Sequence, residues 1–192
     1  MKKIPCVFER EFLGSHDVML LTTVTPGCEW VLDGEGIPTR KYDGTAVAII
    51  GGQLYARLDC KRGKRPPAGA IPCSDPDAIT GHWPHWVIAD RPEDRWIREA
   101  YENSAAHTNG DGTYEAIGPK INGNHDNEPE HILVRHGVDI LPLPDRSWDG
   151  IREFLSQWAI EGIVFHHPDG RMAKIRRHDY GFMWPVEEIS AQ

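Results

Sequence analysis

Lys41-Tyr42-Asp43-Gly44 sets a primary amine two residues from a carboxylate, a pairing suited to covalent attack on phosphorus. Attack needs the free amine, whereas a lysine near its reference pKa of about 10.4 is almost wholly protonated at neutral pH. A neighbouring cation and a bound metal ion both disfavour the ammonium, so chemistry at Lys41 calls for both nearby. The chain supplies the pieces in order: Tyr114-Glu115, then Glu161-Gly162-Ile163-Val164, then Lys174-Ile175-Arg176. Phosphoryl transfer asks a protein mainly for positioning and charge neutralisation. Asp43, Glu115 and Glu161 are the carboxylates available to anchor Mg²⁺ (or Mn²⁺), directly or through retained waters. Lys174, Arg176 and Arg57 suit phosphate oxygens, Glu115 also suits a ribose hydroxyl, and Ile163 offers an apolar platform for a base.

Each piece has an ordinary reading when taken alone. A lysine beside a turn is usually solvent-exposed, and Asp-Gly is common turn chemistry. His82-x-x-His85, His166-His167 and His178 lack partner cysteines, so no metal is assigned to them. Trp83, Trp86, Trp148 and Trp158 fall at strand or helix spacing, which makes them core candidates before they are base-stacking ones. The order of the charged pieces, rather than any one of them, carries the argument.

The elements that must position these residues follow from periodicity and turn chemistry. With 192 residues and 40% hydrophobic content, one globular domain over residues 1–192 is expected. Residues 45–50 and 53–59 flank Gly51-Gly52 and predict a tight hairpin. Residues 61–77, rich in proline and charge, predict an exposed loop. A helix is expected after Asp90 as N-cap, with Pro92 in its first turn and Trp96, Ala100 and Tyr101 on one side. Residues 103–112 are polar and glycine-rich. Thr113–Ile117 and His131–Arg135 read as strands, and Ser147 caps a helix carrying Trp148, Ile151, Leu155 and Trp158. A last hairpin joins Ile160–His166 to Met172–Arg177 through Pro168-Asp169-Gly170. With an even-numbered turn, Glu161 and Ile163 would share a sheet face with Lys174 and Arg176. Hairpins with a few packed helices make an α+β domain.

The net charge of −8 excludes a non-specific nucleic-acid coat, so any nucleic-acid contact must be local. The local candidates are Lys61-Arg62-Gly63-Lys64-Arg65 and the group Arg171, Lys174, Arg176 and Arg177. Four scattered cysteines without a Cys-x-x-Cys pair indicate reduced thiols. Glu9, Arg10 and Glu11 interrupt the apolar run after Lys3, and no run of about 20 apolar residues follows. These features predict a soluble cytoplasmic protein with no membrane contact and no obligate protein partner.

Six strings in register resemble a known family: Lys3-Ile-Pro-Cys-Val-Phe8, Ile37-Pro-Thr-x-Lys-x-Asp-Gly-Thr45, Ala56-Arg-Leu-Asp59, Ile121-Asn-Gly-Asn124, Ile160-Glu-Gly-Ile-Val164 and Lys174-x-x-Arg-His178, with Gly181 and Trp184-Pro185. They are similar to the small ATP-dependent 5′-to-3′ RNA ligases typified by the human chromosome-12 orphan ligase, within the covalent nucleotidyltransferases. The resemblance implies a ligase-type adenylation fold, antiparallel sheets and flanking helices around a nucleotide cleft, without an OB domain. It implies ATP and Mg²⁺ as cofactors, RNA with 5′-phosphate and 3′-hydroxyl ends as substrate, and a lysyl-AMP intermediate on Lys41. By position, Arg57 and Glu115 become nucleotide contacts, Asp43 and Glu161 metal organisers, and Lys174 and Arg176 phosphate clamps. Lys174-x-Arg176 stands where larger covalent ligases have Lys-x-Lys, which keeps the charge and alters its geometry. A GTP-dependent RNA guanylyltransferase would use the same lysine, and a catalytically lapsed nucleotide or RNA-end binding module would keep the same surface.

Overall fold

The computed structural model describes residues 3–14, 18–78, 80–104 and 110–186; of the polar stretch 103–112, residues 105–109 lie outside them. In chain order the elements are β1 (Phe8–Phe12), β2 (Val18–Val24), α1 (Glu29–Leu32), β3 (Ile37–Lys41), β4 (Thr45–Ile50), β5 (Gln53–Cys60), β6 (Ile71–Pro72), β7 (Trp83–Ile88), α2 (Arg95–Asn103), β8 (Gly112–Ile117), β9 (Ile132–Arg135), α3 (Trp148–Gln157), β10 (Gly162–His166) and β11 (Met172–Arg176). Every pairing between these strands is antiparallel, and the helices are few, so the architecture is α+β. The described residues fall into two compact units: Lys3 with those of Asp43–His136, and those of Ile4–Tyr42 with those from Gly137 onward.

The unit that runs through Asp43–His136 holds a six-stranded sheet in the order β6-β7-β5-β4-β8-β9. Gly51 and Gly52 take φ of 58° and 75°, the left-handed pair that a two-residue hairpin requires, as the sequence predicts. Val47, Ala56, Val87, Tyr114 and Ala116 build its core, and α2 adds Ile97 and Ala100. The helix begins later than Asp90 suggested. Pro92–Asp94 form a 3₁₀ turn first, because the Asp94 carboxylate reaches the Arg91 backbone N–H at 3.2 Å and its guanidinium at 2.7 Å. The loop expected over 61–77 contains the short strand β6, which pairs with β7; two residues are too few to leave an alternation in sequence.

The other unit has a two-stranded sheet, β1-β2, and a three-stranded sheet in the order β11-β10-β3. Val7, Phe8, Trp30, Val31, Ile151, Leu155, Ile163, Phe165, Ala173 and Ile175 form its core. Ser147 caps α3 as its sequence indicates, its hydroxyl accepting from the Gly150 N–H at 3.1 Å. The outer edge of β11 is covered by the chain near its start: Lys174 donates its N–H to the Pro5 carbonyl, and Val7 donates to the Lys174 carbonyl, both at 2.9 Å. Covering an edge in this way satisfies backbone groups that would otherwise template aggregation.

The candidate active-site face of the three-stranded sheet

Lys41 closes β3, and its position is set by two registers. It lies opposite Gly162 of β10, which lies opposite Arg176 of β11; Thr39, Val164 and Lys174 form the next row but one. Directly opposed residues share a face, as do alternate residues along one strand. Lys41, Lys174 and Arg176 therefore project from one face, while Ile163, Phe165, Ala173 and Ile175 fill the core from the other.

This register corrects the even-turn expectation. His167–Arg171 make an odd-numbered turn of five residues, closed by the His167 N–H on the Arg171 carbonyl at 2.9 Å. Ile163 consequently faces Ile175 and is 0% exposed, on the opposite side from Lys174 and Arg176. Glu161 joins the cationic face by another route. It precedes the first residue of β10, and its nearly buried carboxylate accepts a hydrogen bond from Lys41 Nζ.

Gly162 is the floor between Lys41 and Arg176. A Cβ there would sit 2.3 Å from the Ile175 carbonyl oxygen and 2.8 Å from Arg176 Cα, so the row stays open only with glycine. The three cations are held differently. Arg176 is tied to Asp179, with guanidinium Nη2 at 2.9 Å and backbone N at 2.9 Å, and this hydrogen-bonded charge pair holds its pKa above the ordinary value. Arg10 adds a second guanidinium to Asp179 at 3.4 Å. Lys174 makes no ion pair among the described residues. Burial first, then the charges of Lys41 and Arg176, push its pKa below the ordinary 10.5.

Other sequence-derived site residues sit in the Asp43–His136 unit. The Asp43 carboxylate accepts from the Asn122 side-chain amide and pairs with His125 Nδ1 at 2.7 Å, and its N–H donates to Asp126 at 2.8 Å. Asn122, Gly123, Asn124 and Asn127 all take positive φ, a strained run that aims Asn122 and His125 at Asp43. Gly44 is required by close approach: a Cβ would meet the Ala116 carbonyl oxygen at 2.1 Å, which turn chemistry alone does not reveal. Glu115 pairs with His136 Nε2 at 2.9 Å, and His136 Nδ1 meets Thr113 Oγ1 at 3.0 Å. Arg57 pairs with Asp59 at 3.1 Å beside a cavity of about 590 Å³ that Lys3, Ser74 and His82 also line. Sequence reasoning missed His125, His136 and Asp179; Asn122-Gly123-Asn124 was noticed only as a string.

The second basic group expected from sequence is divided. Arg177 turns inward and donates to the Trp158 carbonyl at 2.8 Å and to that of Leu155, while Arg171 is held by Asp169 at 2.7 Å over the Trp30 ring. Among the described residues no three His, Cys, Asp or Glu side chains gather to hold a metal. Mg²⁺ commonly takes one or two carboxylates together with substrate phosphates, so Glu161 beside phosphate-suited cations has fitting donor chemistry.

A family model described as RNA ligase 1 matches residues 105–192. RNA ligase 1 of Danio rerio is 36% identical over 88 residues, and that of Rattus norvegicus 38% over 89 residues. RNA ligase 1 of Pongo abelii is 34% identical over 85 residues. Each of these matches covers 40% of this chain and 26% of the relative, so the chain spans about a quarter of the length of the curated relatives it matches. Glu115, Glu161, Lys174 and Arg176 fall inside the matched segment, and Lys41, Asp43 and Arg57 fall before it. The similarity supports a relationship with RNA ligases. No described helix is long and apolar enough to cross a membrane.

Proposed function

We propose that the protein is an ATP-dependent RNA ligase that works through an adenylate carried on Lys41. The observation that carries this reading is the shared face of Lys41 and Lys174, with the Glu161 carboxylate on the Lys41 amine. Lys41 Nζ attacks the α-phosphorus of ATP; an N–P bond forms, the bond from the α-phosphorus to the bridging oxygen breaks, and pyrophosphate leaves. The amine proton has an acceptor already in contact, Glu161. Lys174 offers a cation with no ion-pair partner among the described residues, and Arg176, braced by Asp179, adds a fixed charge for the leaving oxygens. A divalent cation taken up with the nucleotide would lie with Glu161 and neutralise phosphate charge.

An RNA 5′-phosphate then displaces lysine, leaving AMP on the RNA end through a pyrophosphate link. An RNA 3′-hydroxyl attacks that end, AMP leaves, and a 3′-5′ phosphodiester remains. The likeness of residues 105–192 to RNA ligase 1 supports RNA as the acceptor, and the nucleotide contacts of Arg57 and Glu115 and the part of Asp43 are included in this reading. The test is intact-protein mass after incubation with Mg²⁺ and ATP or GTP, chased with 5′-phosphorylated RNA. Addition of one AMP from ATP alone, removed by RNA to give joined product, is expected. Lys41→Ala should carry no AMP while keeping the native fold, with a melting temperature lowered by the loss of the Glu161 partner; AMP on that variant, or none on the folded wild type, would sink the proposal.

A further inference from the structure

We infer that the turn Lys61–Arg65, together with Trp83, is a docking surface for single-stranded RNA, built of residues other than those assigned to the nucleotide. The inference rests on the ligase reading only in taking RNA as its ligand. Four cations occur within five residues of a chain whose net charge is −8, and all four are exposed. Lys61, Arg62, Lys64 and Arg65 form no ion pair and no side-chain hydrogen bond among the described residues, whereas Lys3, Arg10, Lys41, Arg57, Arg91, Arg171 and Arg176 each have an acidic partner. An exposed cluster of unneutralised charge gives little to stability and is what releases counterions from a phosphate backbone.

The cluster is also built. Cys60, the last residue of β5, pairs directly with Trp83, the first of β7, so the turn leaves the sheet beside that indole. Lys64 N–H closes the turn on the Lys61 carbonyl at 3.0 Å, and Arg62 packs against Gly81, where a Cβ would fall 2.7 Å from its Nε. Trp83 is fixed by its Nε1–H on the Ser74 carbonyl at 2.6 Å, and it borders with Lys61, Arg62 and Lys64 a cavity of about 460 Å³. The acid that borders this cavity, Asp77, is occupied by Thr80 at 2.7 Å and Lys3 at 3.1 Å. Cations that track phosphates beside an aromatic side chain that stacks on bases match the recognition of single strands.

The experiment measures binding of a fluorescein-labelled single-stranded RNA by anisotropy across a salt series, for wild type and for the triple variant Lys61→Ala, Lys64→Ala, Arg65→Ala, with AMP loading followed in parallel. The variant should bind about tenfold or more weakly, and its log Kd against log salt slope should fall by about 2, at about 0.7 for each lost contact to a single strand. AMP loading and melting temperature should stay unchanged. Trp83→Leu should weaken binding without altering the slope. Unchanged affinity and slope in the triple variant would overturn the inference even where AMP loading succeeds. RNA binding that depends on the cluster in a protein that loads no AMP would uphold it while the ligase reading fails. Poly-glutamate competing as well as RNA would overturn it in favour of an acidic protein partner.

Discussion

At the scale of single residues, Lys41 and its cationic neighbours answer to different controls. Lys41 is in contact with a carboxylate; Lys174 is half-buried and has no such partner among the described residues. The lowered pKa of Lys174 fixes the sign of its pH effect. Between that value and the ordinary 10.5 the unfolded chain binds the extra proton, so this lysine's contribution to stability is least below its folded pKa and grows as pH rises through it. Lys174→Met should therefore raise the urea midpoint relative to wild type at neutral pH, with the gap narrowing as pH rises toward the ordinary lysine value of 10.5. The same variant should slow AMP loading by about 100-fold, the scale of removing one electrostatic contact to a transition state. Normal single-turnover loading would shift the phosphate role to Arg176. The grouping of Lys41, Glu161 and Lys174 was expected from sequence because chemistry restricts which residue types could serve, and the structure brings the three together. His125 and His136 were not, since their partners Asp43 and Glu115 lie 82 and 21 residues away and no local pattern announces the pairing.

At the scale of elements, the tight turn and the cap of α3 were read correctly, whereas the start of α2 and the register of the last hairpin were not. Gly51-Gly52 and Ser147 act within four residues of themselves, so the hairpin and the cap of α3 were visible in sequence. The last hairpin depended on turn parity, which Pro168-Asp169-Gly170 left open and the His167–Arg171 closure decided. The pairing of β3 with β10 joins distant segments and left no mark on either. Gly162 gives this sheet a testable weak point. Gly162→Ala must push β11 away from its Cβ, and overpacking of this kind costs about 2 kcal/mol, or roughly 5 °C in melting temperature for a chain of this size. AMP loading should fall with it, because Lys41 and Arg176 flank that position. A variant that melts like the wild type would mean that β10 and β11 separate more freely than their hydrogen-bonded register implies.

At the scale of the whole molecule, the four cysteines report packing independently of activity. Cys6, Cys28 and Cys60 are buried, Cys73 is partly exposed, and burial raises the thiol pKa of Cys6 and Cys28, which reduces their thiolate. Iodoacetamide on the native protein should label Cys73 first, with all four labelled after denaturation; peptide mapping checks the order, and early labelling of Cys6 would contradict the packing around Val7 and Phe8. The Asp43–His136 unit is nearly one uninterrupted stretch of chain, whereas the other is assembled from Ile4–Tyr42 and a segment that begins at Gly137. That arrangement governs the order of events on the ribosome. Lys41 is made 120 residues before Glu161. At about 5–20 residues per second, β3 waits on the order of ten seconds for the strand it pairs with. Lys41 thus spends its first moments without the sheet that orients it, and the row of Lys41, Lys174 and Arg176 is complete only once β11 has been translated.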